Sequence, residues 1–393
     1  MWSFTSPRHV ILGEDALGYL LLRHIKHAFV VTDPLMRELH LETLTKNLVG
    51  TKITVFDELP EGETTIQTVR NGAKKLAEAE PDVIIALGGG SVMDAAKGMW
   101  FMWANPDTDI GALNPLEPIH LRKKTKAKLI NISTTSGTGS DVTWAVVLQD
   151  TDENLKISLA NRELVADISI LDPGLAATMP PHMIAGTGFD ALCHSIDGYL
   201  STWQNDFSDA LLRHAFKLGW ENLTEVYEPA ARGDPVDPKT REKLHHAATM
   251  AGWGMSNSQI ILTHSLAHAL GGVFRLPHAL LVGASGWYSL MFNREVAANR
   301  IAELAEIANI HASNRDETIK DFISAFKAKL IQCHLPISLN EMSISRESFE
   351  QNLQTLVKNA LNDTGSLSNP REIQYQDVER IFHCMWDGNP VEF

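Results

Sequence analysis

The order of hydrophobic and polar residues changes character partway along the chain. Up to about residue 175, short runs rich in β-branched residues alternate with stretches whose apolar residues recur at helical spacing. Strands that alternate with helices are typical of a parallel sheet with right-handed crossovers. The runs predicted as strands are 27–33, 52–57, 82–89 and 128–134.

Beyond about residue 175 the strand pattern stops, and helical spacing continues to the C-terminus. The clearest helical stretches are 183–202, 209–227, 240–256, 300–310 and 317–331. We therefore predict two domains: residues 1–178 as an α/β domain with a parallel, Rossmann-like sheet, and residues 179–393 as an all-α domain.

Composition narrows the classes of function. Hydrophobic residues make up 44% and charged residues 21% of the 393, which indicates a globular protein rather than a disordered one. A formal charge of −14 argues against a nucleic-acid partner, because phosphate binding needs a basic surface. The one basic run, 122–128, is predicted as a solvated turn that leads into a strand.

Three further features bear on location. No run reaches the roughly 18 apolar residues that span a bilayer, and the start lacks the pattern of a secretory signal. The three cysteines are unevenly spaced and odd in number, which favours a reducing compartment. We expect a cytoplasmic protein with no membrane partner.

A glycine cluster follows the third predicted strand. Gly88, Gly89 and Gly90 stand where the strand ends, and Ser91 where a helix begins. Glycine lets the backbone approach a ligand closely, and the free N–H groups at a helix start favour an anion such as pyrophosphate. The pattern is not GxGxxG, so alone it also fits a plain tight turn.

Two other strand ends carry polar groups. The loop ISTTSGTGSDVT, 132–143, is rich in hydroxyls and glycine, which suit phosphate, ribose or carboxamide. Asp33 closes the first predicted strand, where a carboxylate can hold ribose hydroxyls and repel a 2′-phosphate, favouring NAD over NADP. Asp33 would serve equally well as the N-cap of a helix that begins at Pro34.

Histidines and one aspartate cluster in the helical half. Asp190 and His194 are four residues apart and share one helical face, as do His264 and His268. Gly271-Gly272 is predicted to break the second helix before His278. One carboxylate with two or three imidazoles suits Fe(II) or Zn(II), whereas a lone Asp–His pair is more often a buried ion pair.

Four ordered motifs give the chain a family resemblance. GGGSVMDAAK, TTSGTGSDVT, LDPGLAATMPPHMIAGTGFDALCHSIDGYLS and HSLAHALGGVFRLPHA resemble those of the iron-containing (group III) alcohol dehydrogenases. The tail NDTGSLSNPREIQYQDVERIF is similar to the end motif of that family.

The resemblance implies a set of site residues. The metal ligands of the family fall on Asp190, His194, His264 and His278. His268 corresponds to a histidine beside the metal that is not a ligand and lies near the substrate and nicotinamide. The family's nucleotide contacts fall on Gly88, Gly89, Gly90, Ser91, Val92, Met93, Asp94, Thr134, Thr135, Thr138, Val147 and Lys156, with Asp33 at the position associated with NAD.

The implied activity is hydride transfer between nicotinamide and a primary or small alcohol whose oxygen binds Fe(II), with His268 as proton relay. Members of that family usually form dimers or larger assemblies, so the resemblance implies a homodimer or a larger homo-oligomer for this chain. The chain departs from the family at Asp141, Ala279 and Gly365, where Glu, Gly and Cys are common. The alternatives are a zinc-dependent enzyme like glycerol dehydrogenase or dehydroquinate synthase, and a nucleotide-binding protein without catalysis.

Overall fold

The computed structural model describes residues 3–60, 62, 64–113, 117–151 and 155–393, without the side chains of 112, 155 and 156. The chain divides into two compact units, Met1–Met179 and Pro180–Phe393. Within the described residues, every strand lies in the first unit.

The first unit alternates strands and helices along most of its length. Its strands are β1 His9–Leu12, β2 His27–Val31, β3 Lys52–Phe56, β4 Val83–Gly88, β5 Lys128–Ser133, β6 Ala145–Asp150, β7 Leu155–Ala160 and β8 Ile168–Leu171. Its helices are α1 Pro34–Lys46, α2 Ile66–Ala79, α3 Gly90–Ala104 and α4 Leu121–Thr125, with short 3-10 helices at Ala16–Leu22, Ile110–Ala112 and Arg162–Leu164.

Six strands form one parallel sheet in the order β1-β8-β5-β4-β2-β3. The chain runs outward from β2 to β3 and then returns to place β4 on the other side of β2, so the strand order reverses between β2 and β4. In α/β sheets, nucleotides bind in the crevice at the carboxyl ends of the strands at such a reversal. The predicted fold class is confirmed.

The pleat of the sheet sends successive side chains to opposite faces. Phe29, Ile84 and Leu129 lie in a buried cluster with α2 and α3. Val30 and Ile85 point the other way, into a cluster with α1 and the first 3-10 helix. Because both faces are covered, the strands read as nearly continuous apolar runs.

Several elements differ from the sequence predictions. Strands β1 and β8 and the antiparallel hairpin β6–β7 were not among the four predicted strands. The prediction for the basic run is wrong in part, since the run begins within helix α4. Arg122 is not a free solvated side chain: its Nε donates to Asp167 Oδ1 at 2.9 Å, and its guanidinium lies 4.9 Å from the Trp100 ring centre.

The second unit is helical throughout, as predicted. Its helices are α5 Pro181–Leu200, α6 Asp206–Arg232, α7 Pro238–Ser256, α8 Leu262–Phe274, α9 His278–Asn293, α10 Ala298–Ile307, α11 Arg315–Gln332, α12 Arg346–Asn362, α13 Thr364–Leu367 and α14 Tyr375–Asp387. The predicted break at Gly271-Gly272 is wrong: α8 continues through both glycines and ends before Arg275, which has a φ of 54°. In the described part of the chain, we find no helix with the length and apolarity to cross a bilayer.

Candidate metal and cofactor sites

Helix α5 brings Asp190 and His194 together deep inside the second unit. Pro181 occupies the first turn of α5, where a missing N–H costs nothing. From Ile184 to the end of the helix every residue is buried, and Asp190 and His194 are 1% and 5% exposed. A buried carboxylate needs partners.

Two other helices supply those partners. His264 lies in α8, and His278 is the first residue of α9, directly after Pro277. The Nε2 atoms of His194, His264 and His278 lie 3.6, 3.5 and 3.7 Å from Asp190 Oδ1. The His194 and His264 rings are nearly parallel, with centres 4.6 Å apart.

These spacings fit a shared metal ion better than direct hydrogen bonds. Asp190 Oδ1 and His264 Nε2 are buried, and neither has a hydrogen-bond partner among the described residues. Two ligand atoms about 2.1 Å from a tetrahedral ion stand about 3.4 Å apart, close to the three distances from Asp190 Oδ1. The donor atoms of Asp190, His194 and His264 all lie within 4.8 Å of one another.

The charges of the group also suit a cation. Burial favours the neutral acid, but the surrounding histidines hold the pKa of Asp190 well below its usual range. Burial lowers the pKa of His194 to about 4. Burial likewise opposes the charged form of His264, yet the neighbouring carboxylates of Asp190 and Asp197 raise its pKa to about 9. The position between Asp190 and His264 thus attracts positive charge.

The sequence analysis did not identify two carboxylates, Asp197 and Asp363, that orient histidines of the site; Asp197 contacts His264. His264 Nδ1 lies 2.7 Å from Asp197 Oδ2, which also accepts from the Ile261 N–H at 3.1 Å. This contact turns Nε2 toward Asp190, as outer carboxylates do around metal-binding histidines. Asp197 follows Asp190 by seven residues on α5, and that spacing was the signal that could have found it.

His268 has a similar partner from the tail of the chain. Its Nδ1 lies 2.8 Å from Asp363 Oδ2, and both side chains are 12% exposed. Asp363 Oδ1 accepts from Ser265 Oγ at 3.0 Å and from the Gly365 N–H at 2.9 Å. Burial opposes the charge on Asp363, but His268 and these donors lower its pKa to about 2.

Some other cysteine, histidine and aromatic side chains of the helical unit pack in its interior. Cys193 Sγ donates to the Val282 carbonyl of α9 at 3.6 Å. Trp287 and Tyr288 are buried in α9, and the Tyr288 hydroxyl donates to the Ile337 carbonyl. His245 is buried in α7.

The two departures near the metal residues have structural partners. A Cβ on Gly186 would lie 3.2 Å from Ala279 Cβ, so the extra methyl of Ala279 faces a glycine. A Cβ on Gly365 would lie 2.6 Å from the Ile261 carbonyl oxygen. Cysteine at position 365 therefore requires a shift of the tail backbone.

In the first unit, three strand ends meet at one edge of the sheet. Strand β4 pairs with β2 and with β5, so the segments that follow them are neighbours. The Thr32 hydroxyl donates to the Leu87 carbonyl at 2.9 Å, and the Thr134 N–H donates to the Gly88 carbonyl at 3.1 Å. The predicted nucleotide segments are thus brought together.

The glycines make a cradle that side chains would fill. A Cβ on Gly89 would lie 3.1 Å from the Thr135 side chain, and one on Gly90 would lie 2.9 Å from the Thr138 side chain. Gly89 is the N-cap of α3 and no side chain caps it. The first amides of α3 are therefore available for an anion such as pyrophosphate.

The remaining predicted nucleotide residues differ in exposure. Ser91 is exposed at the helix start, whereas the side chains of Val92 and Met93 are buried and leave only their backbone to a ligand. The Val147 N–H donates a hydrogen bond to Asp94 Oδ2 at 2.9 Å. Lys156 belongs to β7, and its side chain lies outside the described part of the structure.

Asp33 occupies the expected place after β2. It is the N-cap of α1, and its Oδ1 accepts from the Met36 N–H at 2.8 Å. The capping interpretation is confirmed, and it leaves the contact with ribose as a prediction.

The first unit has a crevice of the kind that binds nucleotides, and the second unit has a buried aspartate surrounded by three histidines. Together these features define a class of protein, the nicotinamide-dependent dehydrogenases that use a metal ion.

The comparisons with known proteins identify the family. Residues 7–173 match the model described as iron-containing alcohol dehydrogenase, and residues 184–386 match that of the Fe-containing alcohol dehydrogenase family, C-terminal. The chain belongs to the iron-containing alcohol dehydrogenase family and is an oxidoreductase that acts on alcohols with a nicotinamide cofactor.

Relatives and solved structures agree over the whole length. The chain is 31% identical to the NADPH-dependent butanol dehydrogenase of Clostridium saccharobutylicum over 100% of both chains. It is 32% identical to the 1-propanol dehydrogenase PduQ of Salmonella typhimurium, over 97% of this chain and 99% of the relative. The iron-containing alcohol dehydrogenase of Thermococcus thioreducens superposes with a TM-score of 0.87 at 26% identity, covering 99% and 100% of the two chains.

Proposed function

We propose that Asp190, His194, His264 and His278 hold one divalent metal ion, with Fe(II) as the expected ion and Zn(II) as the alternative. The observation that carries this proposal is the convergence of three imidazole nitrogens on one buried carboxylate oxygen. One carboxylate and three imidazoles form a ligand set that both ions accept.

The proposed substrate is a small primary alcohol or the corresponding aldehyde. Support comes from relatives named for butanol and 1-propanol, which the chain matches over nearly their full lengths. When bound, a divalent metal supplies Lewis-acid polarisation of an alcohol or carbonyl oxygen, and the nicotinamide accepts or donates the hydride.

Two carboxylates would orient the His264 and His268 rings, and His268 would carry the proton of the alcohol. The Nδ1–H group of His268 would donate a hydrogen bond to Asp363. This bond would fix the orientation of the ring and leave Nε2 as the nitrogen that can accept a proton. His268 Nε2 takes the proton that the alcohol loses on oxidation and returns it when an aldehyde is reduced. Asp197 holds the His264 ring with Nε2 toward Asp190.

The first unit would bind the cofactor. Backbone amides at the start of α3 would receive the pyrophosphate, and hydroxyls of Thr134, Thr135 and Thr138 would bond to the rest of the nucleotide. The carboxylate of Asp33 would bond to the ribose and disfavour a 2′-phosphate. We therefore propose NAD(H) as the preferred cofactor, in contrast to the Clostridium relative, which is named for NADPH.

The test is metal analysis combined with activity. Protein purified without oxygen is analysed by mass spectrometry for iron and zinc, and NADH-dependent reduction of propanal and butanal is followed before and after chelation. About one iron per chain, with activity that chelation removes and Fe(II) restores, is the expected result. Full activity in metal-free protein would overturn the proposal, and zinc that restores activity where iron does not would change the ion.

The expected assembly of identical chains and the cytoplasmic location stay predictions from the sequence. Light scattering after size-exclusion chromatography measures the first, and a mass of one chain would contradict it.

A further inference from the structure

A buried ion pair lies beneath the proposed cofactor loops in the first unit. The Lys97 side chain is fully buried in α3. Its Nζ donates to Ser140 Oγ at 2.8 Å and to the Ala145 carbonyl at 3.0 Å, with Asp94 Oδ1 and Thr143 Oγ1 at 3.4 Å. The ammonium group therefore connects α3 to the end of the loop that follows β5 and to the start of β6.

Asp94 extends the same set of contacts. Its Oδ1 accepts from Ser140 Oγ at 2.6 Å, and its Oδ2 accepts from the Val147 N–H at 2.9 Å. Both oxygens are thus engaged by the protein. We call Asp94, Lys97 and Ser140 the α3 clamp.

The α3 clamp holds segments that have little regular structure of their own. Residues 134–143 form neither helix nor strand, yet they include Thr135 and Thr138, which lie over Gly89 and Gly90. The pair also binds the start of β6, through the carbonyl of its first residue, Ala145, and the amide of its third, Val147.

An ion pair is a costly way to fill a core. Burial lowers the pKa of Lys97, which shows that the interior opposes its charge. Apolar residues of similar volume commonly stabilise a core as well as a buried ion pair does, or better. Stability alone therefore does not explain these two charges, whereas a directional connection between segments does.

We propose that Lys97 and Asp94 are positioning residues for the cofactor, which hold the loop 134–143 and the start of β6 in place over the glycine turn before the cofactor arrives. The proposal rests on the proposed cofactor site. Asp94 would act through the α3 clamp without touching the pyrophosphate, which a carboxylate would repel. Ordering the loops in advance lowers the entropy cost of binding.

The decisive variant is D94N/K97M. K97M alone leaves the Asp94 charge buried without a cation, which destabilises the fold for an unrelated reason. The double variant removes both charges, and the amide that replaces the carboxylate retains one acceptor oxygen. S140A is a milder second variant, which removes only the bridging hydroxyl.

The matched control is W100F. Trp100 is buried in the same helix, and its Nε1 donates to Thr125 Oγ1 at 2.9 Å, away from the loops. This variant loses that partly buried hydrogen bond of α3 and alters the ring that lies under Arg122, without changing a residue of the α3 clamp.

Three readouts separate positioning from general stability. They are the Kd for NADH and NADPH from fluorescence titration without substrate, amide exchange of residues 134–147, and the ratio of the change in Kd to the change in kcat at saturating cofactor. We expect D94N/K97M to raise the Kd at least about tenfold, to speed exchange in 134–147, and to lower kcat by a smaller factor than the one by which it raises the Kd. S140A should raise the Kd about threefold.

Two other results would overturn either the positioning role or the cofactor site itself. If D94N/K97M or S140A matches W100F in Kd and in local exchange, the pair is only structural and the proposal is overturned. If the unaltered protein fails to bind either nicotinamide in the same titration, the proposed cofactor site itself is wrong, a failure distinct from that of the variants.

Discussion

The two candidate sites are built from different chemical groups: side-chain donors in the second unit, and backbone with small side chains in the first. The metal residues of the second unit are side chains on three helices, and their geometry depends on which atoms they carry. The cofactor edge of the first unit is mostly backbone and short hydroxyls, and its geometry depends on where glycine keeps space open.

This difference predicts two kinds of response to substitution. Loss of one ligand atom from a metal site leaves the ion under-coordinated and the remaining buried charge unpaired. A change in a backbone cradle shifts a loop by a fraction of an ångström and weakens binding in proportion. The side-chain site should fail completely, and the backbone site should fail by degrees.

The largest effect is expected for H264A. It removes the nitrogen 3.5 Å from Asp190 Oδ1 and leaves Asp197 without its histidine. We expect less than about a tenth of the normal metal content and at least about a 10³-fold loss of activity. Metal analysis and the aldehyde assay check this, and a fully loaded, active H264A protein would remove His264 from the ligand set.

H268Q should slow turnover without loss of metal. Glutamine can still donate to Asp363 but cannot relay a proton. We expect turnover to fall about 10²-fold at unchanged metal content. Metal loss in H268Q would instead make His268 a ligand.

G90A tests the backbone site. Its new Cβ would meet the Thr138 side chain at 2.9 Å and displace the loop. We expect the Kd for the cofactor to rise about tenfold, with metal content unchanged. The matched control is G18A, since a Cβ on Gly18 meets nothing within 4 Å; equal Kd values for the two variants would contradict the cradle.

D33N should shift cofactor preference by a smaller factor. Asparagine caps a helix as well as aspartate, so α1 keeps its start while the negative charge is lost. We expect the ratio of kcat/KM for NADPH to that for NADH to rise about three- to tenfold. An unchanged ratio would place Asp33 away from the 2′ position, and D33A would show the separate loss of about 1 kcal/mol from the cap.

The buried His245 of α7 makes the stability of the protein depend on pH. Burial lowers the pKa of His245 from 6.5 to about 3, so between these values the unfolded chain binds more protons. Stability therefore falls as the pH drops below 6.5, by at most about 1.4 kcal/mol per pH unit from this residue. Urea unfolding at several pH values should show a shallower slope for H245N; identical slopes would contradict the shift.

Much of the fold could be predicted because its signals are local. Strands β2 to β5 and the long helices follow from runs and spacings within about twenty residues. The hairpin β6–β7 was missed because it lies outside the alternating pattern of the main sheet. The break at Gly271-Gly272 was predicted wrongly because the helix penalty of each glycine is modest and α8 continues through both.

The site shows the same limit. The candidate ligands form pairs four residues apart, and the family motifs pointed to them. Asp363 is 95 residues from His268, and no spacing rule links a tail aspartate to a histidine on another helix. The occupation of both Asp94 oxygens also depends on contacts more than forty residues apart.

The edge strand β1 bears on how the protein is made. Within the described residues it pairs with one strand, β8, where His9 lies opposite Ile168. During synthesis, β1 cannot pair with β8 until nearly the whole first unit has left the ribosome. Pairing over such a distance is slow, and we expect the N-terminal segment to be the last part of its unit to settle, with a chaperone-accessible apolar strand until then.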